Sequence, residues 1–222
     1  MEVNGYSIKP FANLRKANLK RKNLSEVNLQ KADLYRANLV GADLRRSNLY
    51  RANLGATNLR GSDLYKANLV EVNLRRADLC ISNLAGANLA GANLELAYFL
   101  GANLCGANLR RVNLCETNFY EANLEGAKLP SPSMILLADW GVVSPELCRD
   151  LMNYDMSMHH DQSLFLKWKE TGNCPYDELR YERAASFVED REHFDPEVPL
   201  CKPFDLMIRL FKENQIKWSP TV

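Results

Sequence analysis

One five-residue phrase recurs without a gap from residue 12 to residue 131: a small residue, then Asn or Asp, then Leu, then two variable positions. It opens with Ala12-Asn13-Leu14-Arg15-Lys16 and Ala17-Asn18-Leu19-Lys20-Arg21, and it closes with Ala127-Lys128-Leu129-Pro130-Ser131. The central position falls on every fifth residue from 14 to 129, 24 copies in all, and only Phe99 and Phe119 replace Leu there. A repeat this regular takes precedence over any local reading. A helix repeats near 3.6 residues and a strand at 2, so neither alone puts positions 14, 19, 24 and 29 on one face. A chain that turns a corner every five residues does. If each pentapeptide forms one side of a square coil, the Leu and the residue two before it can both point to the axis, while the other three face water. The inward companion has to be small because two side chains per side share a narrow core at organic-crystal density.

The sequence resembles the pentapeptide-repeat family over a little more than half its length. That resemblance implies a right-handed quadrilateral β-helix with four repeats to each coil, hence about six coils. At a strand spacing of about 4.8 Å the shaft is roughly 29 Å long. Residues 20 apart should stack directly, and Phe99 and Phe119, the two exceptions, differ by 20. Asn before Leu is read as turn chemistry, its side chain hydrogen-bonding nearby backbone at each corner. Residues 1–11 are expected to cap the first coil through a turn at Asn4-Gly5, since a solenoid must cover its end edges. Lys22 breaks the rule of small inward residues where the core has barely begun, and its stem can snorkel out of the open end.

Where the repeat stops, Pro130-Ser131-Pro132-Ser133 marks a bend. Residues 132–143 read as a linker whose apolar part, Met134 to Trp140, plugs the last coil, and residues 144–222 as a small α-helical domain. Ser144-Pro145 is an N-cap followed by Pro at the first helical position, opening a helix through Tyr154 with Leu147 and Leu151 on one face. Further helices are expected over 161–170, over 176–192, and over 203–218 with Phe204, Met207, Ile208 and Phe211 at helical spacing.

A net charge of +1 hides an asymmetry: residues 12–129 carry 17 Lys/Arg against 10 Asp/Glu, and residues 130–222 carry 10 against 16. The split is sharpest over 12–76, with 14 basic and 5 acidic groups. The N-terminal coils therefore read as a basic rod. Basic residues gather at the two variable positions, at Arg15-Lys16, Lys20-Arg21, Arg36, Arg45-Arg46, Arg51, Arg60, Lys66 and Arg75-Arg76, with Tyr35, Tyr50 and Tyr65 beside several of them. Positions 15/16, 35/36 and 75/76 share a side at coil spacing. Arg15, Lys16, Tyr35, Arg36, Arg45, Arg46, Tyr50, Arg51, Arg75 and Arg76 form the candidate partner-binding basic face, because Arg and Tyr suit both phosphate contacts and protein hot spots. A solvated surface that keeps the rod soluble is the plainer alternative.

From residue 80 the outward positions lose their charge. Val40, Cys80, Ile81, Leu100 and Tyr120 align at multiples of 20 or one residue off. They form an apolar stripe expected to dock the C-terminal region or a second copy of the chain as a homodimer.

No run approaches the roughly 18 apolar residues of a membrane span, and the opening residues lack a signal peptide's apolar core. No membrane association and a cytoplasmic location are expected, with all six Cys reduced, among them Cys80, Cys105 and Cys115 at the outward position after Leu. His159, His160 and His193 lie among Cys148, Cys174 and Cys201, but with neither C-x-x-C nor H-x-x-x-H. No metal, cofactor or catalytic residue is therefore assigned. The expected function is a non-enzymatic rod whose basic and apolar faces bind a protein or nucleoprotein partner, with nucleic-acid contact by the N-terminal coils. There are two alternatives, of which the first is implied by the resemblance. Some pentapeptide-repeat proteins bind DNA gyrase or topoisomerase IV by imitating duplex DNA, giving quinolone protection or inhibition, and that requires a negative surface. The other is a phage-encoded inhibitor of a host defence nucleoprotein complex.

Overall fold

The computed structural model describes residues 1–130, 144–158, 202–213 and 216. Each pentapeptide folds by the same local chemistry. The Asn or Asp side chain accepts the N–H two residues on, as Asn13 Oδ1 does from Arg15 at 3.3 Å and Asp33 Oδ1 from Tyr35 at 3.1 Å. The Ala17 N–H then donates to the Leu14 carbonyl at 3.0 Å, closing a turn whose second central residue, Lys16, has φ 56°. Turns of this kind favour Gly at that position, and a left-handed φ costs other residues about 1–2 kcal/mol. The offset comes from stacking: the Lys16 N–H donates to the Tyr35 carbonyl of the next coil at 2.9 Å, and Arg36 and Arg76 (both φ 58°) repeat the device.

Between corners the chain makes one parallel bridge per side, Asn13 with Asp33, Asn18 with Asn38, and so on to Asn108 with Lys128. Every bridge joins residues 20 apart, so four copies complete one coil and the cross-section is a square. The central residues from Leu14 to Leu124 are buried, together with Ala or another small companion on each side. Phe99 and Phe119 stack with ring centroids 5.1 Å apart and planes at 19°, as the 20-residue register requires. Polar companions bond inward: Ser62 Oγ and Ser82 Oγ donate to the Leu59 and Leu79 carbonyls at 2.6 Å, and Thr57 Oγ1 to the Leu34 carbonyl at 2.9 Å. Ser47 Oγ is buried with no partner.

At the N-terminal end, β1 (Glu2–Val3) and β2 (Tyr6–Ser7) form a hairpin across Asn4 (φ 51°) and Gly5 (φ 76°), the Asn-Gly chemistry of a tight primed turn. Ile8 is buried beneath it, and Asn4 Nδ2 donates to the Asn18 carbonyl at 2.9 Å, tying the hairpin to the first coil. Lys22 and Val27 are half-buried where the corresponding later positions are closed off, in keeping with a core that starts there.

Two helices follow the shaft. Helix α1 (Pro145–Met158) starts at Ser144, whose Oγ accepts the Leu147 N–H at 3.3 Å, and runs one turn past the expected Tyr154. Helix α2 (Pro203–Glu213) ends at Glu213, short of the expected Trp218. The two pack together: Glu213 accepts from the Ser144 N–H and Oγ at 2.7 Å, and Asp150 sits between Arg149, at 3.1 Å, and Arg209. Leu147, Leu151 and Met152 of α1 and Leu206, Met207, Leu210 and Phe211 of α2 are buried. Ile208, expected in the core, is exposed, because the buried stripe of α2 runs through Leu206 and Leu210. The expected linker and plug at 132–143 and the helices expected over 161–170 and 176–192 lie outside the described residues, as do His159, His160, His193, Cys174 and Cys201.

Candidate binding surface

The interior is filled, so chemistry available to a partner lies on the corners and walls. Stacking in steps of 20 sorts the variable pairs into four corners. Arg15, Lys16, Tyr35, Arg36, Arg75 and Arg76 share the first. Val40, Cys80, Ile81, Leu100 and Tyr120 share the second. Arg45 and Arg46 fall on the third, and Tyr50 and Arg51 on the fourth. The ten residues of the expected basic face are therefore distributed over three corners, because each five-residue step rotates the chain by a quarter turn.

Ion pairing separates them further. Arg15 bonds Asp33 at 2.9 Å, Arg45 bonds Asp43 at 2.6 Å with Asp63 at 3.7 Å, and Arg46 reaches Glu26 at 3.5 Å. Arg51 bonds Glu71 at 2.6 Å and Arg75 bonds Glu95 at 3.0 Å. All five carboxylates between residues 12 and 76 are thereby matched to an arginine. Partial burial pushes the Asp33 carboxyl up, but hydrogen bonds from Arg15, the Tyr35 N–H and Asn53 outweigh it and hold its pKa below the usual range. The hydrogen bond from Arg45 does the same for Asp43. The Tyr35 ring lies 4.7 Å from the Arg15 guanidinium and 5.3 Å from that of Arg36, and its edge packs over Gly55, where an added Cβ would meet Tyr35 Cδ2 at 3.2 Å. Tyr50 and Tyr65 carry Arg51 and Lys66 in the same way, at 5.0 and 5.1 Å.

Of the eight outward cations between residues 12 and 76 that make no ion pair, six (Lys16, Lys20, Arg21, Arg36, Arg60 and Arg76) stand on the first or second corner, while Lys66 is on the third and Lys31 on the fourth. The wall between those corners carries Asn18, Asn38 and Asn58 outward, and it lacks the amide ladder of the others. Elsewhere Asn Nδ2 groups donate from coil to coil, Asn73 to Asn53 at 3.0 Å, Asn68 to Asn48 at 3.0 Å and Asn83 to Asp63 at 3.0 Å. The amide Nδ2 donors of Asn18, Asn38 and Asn58 remain free.

The same wall becomes apolar further along. Ile81 is 59 % exposed, Tyr98 48 %, Tyr120 44 % and Leu100 38 %, and these are the exposed large hydrophobic residues of the described shaft. Tyr98 was not singled out from the sequence, although it stands where nearly every other copy has Asn or Asp. Cys80, expected on the outer stripe, is buried, and its burial pushes the thiol up to about 11; burial and neighbouring Glu116 raise Cys115 to about 11 as well. Val40 is half-buried. The side chain of Ile81 lies along bare backbone, Gly61 and Gly101 flanking it on adjacent coils, so it stands proud of the wall.

A square solenoid with a closed core and recognition confined to its outside defines a class of repeat scaffolds. The Pentapeptide repeats family profile matches residues 11–46, 47–80, 82–119 and 97–130, more than half of the sequence. The chain belongs to that family, whose members fold as right-handed quadrilateral β-helices. Similar solved structures include HetL, a pentapeptide repeat protein involved in heterocyst differentiation regulation in the cyanobacterium Nostoc sp. strain PCC 7120, 35 % identical over 53 % of this chain and 64 % of that one, with a TM-score of 0.47. Rfr23 from the cyanobacterium Cyanothece 51142 is 36 % identical over 47 % of this chain and 64 % of that one, with a TM-score of 0.34. Full-length QnrB1, a plasmid-mediated fluoroquinolone resistance protein, is 19 % identical over 51 % and 61 %, with a TM-score of 0.28. The chain thus spans less than two thirds of the length of each. No curated protein matches it.

Proposed function

We propose that the chain is a non-enzymatic binding protein, a rigid rod that holds a protein or nucleoprotein partner on its outer walls. The observation that carries this reading is the set of six cations on adjoining corners of the first four coils, left without carboxylate partners while the five carboxylates between residues 12 and 76 are each matched to an arginine. A surface evolved for solubility alone mixes both signs; one that keeps its surplus charge on one side attracts an anionic partner and speeds its approach. Imitation of duplex DNA is less well supported, since it needs free carboxylates along the shaft and those of the N-terminal coils are bound to arginine. Inhibition of a nucleoprotein complex would draw on the same cations and is one form the proposed binding can take. The thiols of Cys80, Cys105 and Cys115 are compatible with a reducing, cytoplasmic setting.

Affinity capture from cells tests the reading, with the full chain compared against Lys16→Glu/Arg36→Glu/Arg76→Glu. A macromolecule retained by the first, lost from the second and released by about 0.5 M salt, where charges are screened within about 5 Å, is the expected result. Identical capture by both forms, or retention of nothing at either, overturns it.

A further inference from the structure

We infer that one wall, the strands at 17–19, 37–39, 57–59 and 77–79 with their continuation at 97–99 and 117–119, is the docking face, and that its occupant is an acidic segment of a partner protein with apolar side chains at one end. This rests on the binding reading above and deepens it. Three independent features coincide on that wall. Its two rims hold six of the eight outward cations without ion pairs between residues 12 and 76. Its surface amides at Asn18, Asn38 and Asn58 make no coil-to-coil ladder, which each of the other three walls has. Its far half carries Ile81, Tyr98, Leu100 and Tyr120, whose exposure leaves a contiguous apolar area over the last three coils.

The ordering along the axis specifies the partner. Carboxylates meet coils one to four, where Asp78 is the wall's one acidic residue, and hydrophobic side chains seat on coils four to six. The wall's backbone is spent: the Leu19 N–H donates to the Asn38 carbonyl at 2.8 Å and the Asn38 N–H to the Ala17 carbonyl at 2.9 Å, as in every coil described through the fifth. A partner therefore cannot add as a strand and has to be recognised by its side chains. The face is roughly 24 Å long, five spacings of about 4.8 Å, which a helix of about 16 residues spans at about 1.5 Å per residue. A nucleic-acid backbone would satisfy the cations but set phosphates against Ile81 and Leu100, whereas aromatic anchors beside Arg are what protein interfaces concentrate.

Photo-crosslinking in cell extract provides the test, with benzoylphenylalanine replacing Val40 or Tyr120 on this wall's rim, or Val70 or Arg110 on the fourth corner. The expected result is a protein adduct from the first two positions only. Sequencing of the adducted peptides should show Asp and Glu opposite position 40 and large apolar residues opposite 120. Its yield should fall at least tenfold with Arg36→Glu/Arg76→Glu and with Ile81→Ser/Leu100→Ser, and stay unchanged with Arg46→Glu/Arg51→Glu, all variants retaining the parent melting temperature. A nuclease-sensitive adduct, equal yield from Val70 and Arg110, or a peptide without acidic residues overturns this inference while leaving the binding reading standing. No adduct from any of the four positions overturns both.

Discussion

The inward serines show how narrowly each side chain of the core is accounted for. Ser62 Oγ donates to the Leu59 carbonyl at 2.6 Å, whereas Ser47 Oγ, at the equivalent position three copies earlier, is buried without a partner. Burying a hydroxyl unbonded costs free energy that an Ala would not incur. Ser47→Ala is therefore expected to raise stability by up to about 1 kcal/mol, and Ser62→Ala to lower it by about 1 kcal/mol. Thermal unfolding of the two single variants checks the opposite signs. The repeat made these positions legible as inward from the sequence. Which serine finds an acceptor was not, because that turns on the rotamer each hydroxyl adopts toward the carbonyl three residues before it.

At the scale of elements, the stacked pair in the last two coils and the helix pair behave differently. Phe119 is buried against Phe99, so Phe119→Ala removes a ring and leaves a cavity, costing about 3–5 kcal/mol; urea unfolding monitored by far-ultraviolet circular dichroism measures it. The helix pair depends on a buried charge. Burial pushes the Asp150 carboxyl up, but hydrogen bonds and charge from Arg209 and Arg149 outweigh it, and its pKa in the folded protein lies below the ordinary 3.8. A depressed carboxylate adds stability that is present above its unfolded value and lost as pH falls through the folded one. Arg209→Ala should therefore destabilise α1 and α2 by about 2 kcal/mol at pH 7, with the deficit shrinking below pH 4 as the carboxyl takes up a proton. Helical circular dichroism against urea at pH 7 and pH 3 reads the difference. The start of α1 was legible in Ser144-Pro145. The exposure of Ile208 was not, since a helix's spacing shows which residues can share a face and only its neighbour decides which face is covered.

For the whole molecule, the square register turns sequence position into direction. Deleting residues 52–71 removes one full coil and keeps every later residue on its wall. Deleting 52–56 removes a single side and rotates everything beyond by a quarter turn, which parts the cations of Lys16, Lys20, Arg21 and Arg36 from Ile81, Leu100 and Tyr120. Both shortened chains should fold, because the inward Leu pattern is intact in each. Capture of the partner should survive the 20-residue deletion, weakened by the loss of Arg60, and disappear with the five-residue one. Retention of partner by both chains, at matched melting temperature, would contradict the division of labour along one wall.

The sequence by itself determined the shaft's inside and outside: a five-residue period puts one Leu and one small companion inward on every side, while four sides to a coil came from the family resemblance, with Phe99 and Phe119 20 residues apart in agreement. It also placed the surplus positive charge in the first coils and the uncharged band in the later ones. Only the tertiary structure decided which of those cations are free, since Arg15, Arg45, Arg46, Arg51 and Arg75 find carboxylates on their own or neighbouring coils while Lys16, Arg36 and Arg76 do not. It also brought Tyr98 into line with Ile81, Leu100 and Tyr120 and withdrew Cys80 from the surface. Charge counts add along a chain, but pairing and exposure depend on distances across coils, and those exist only when the spiral is closed.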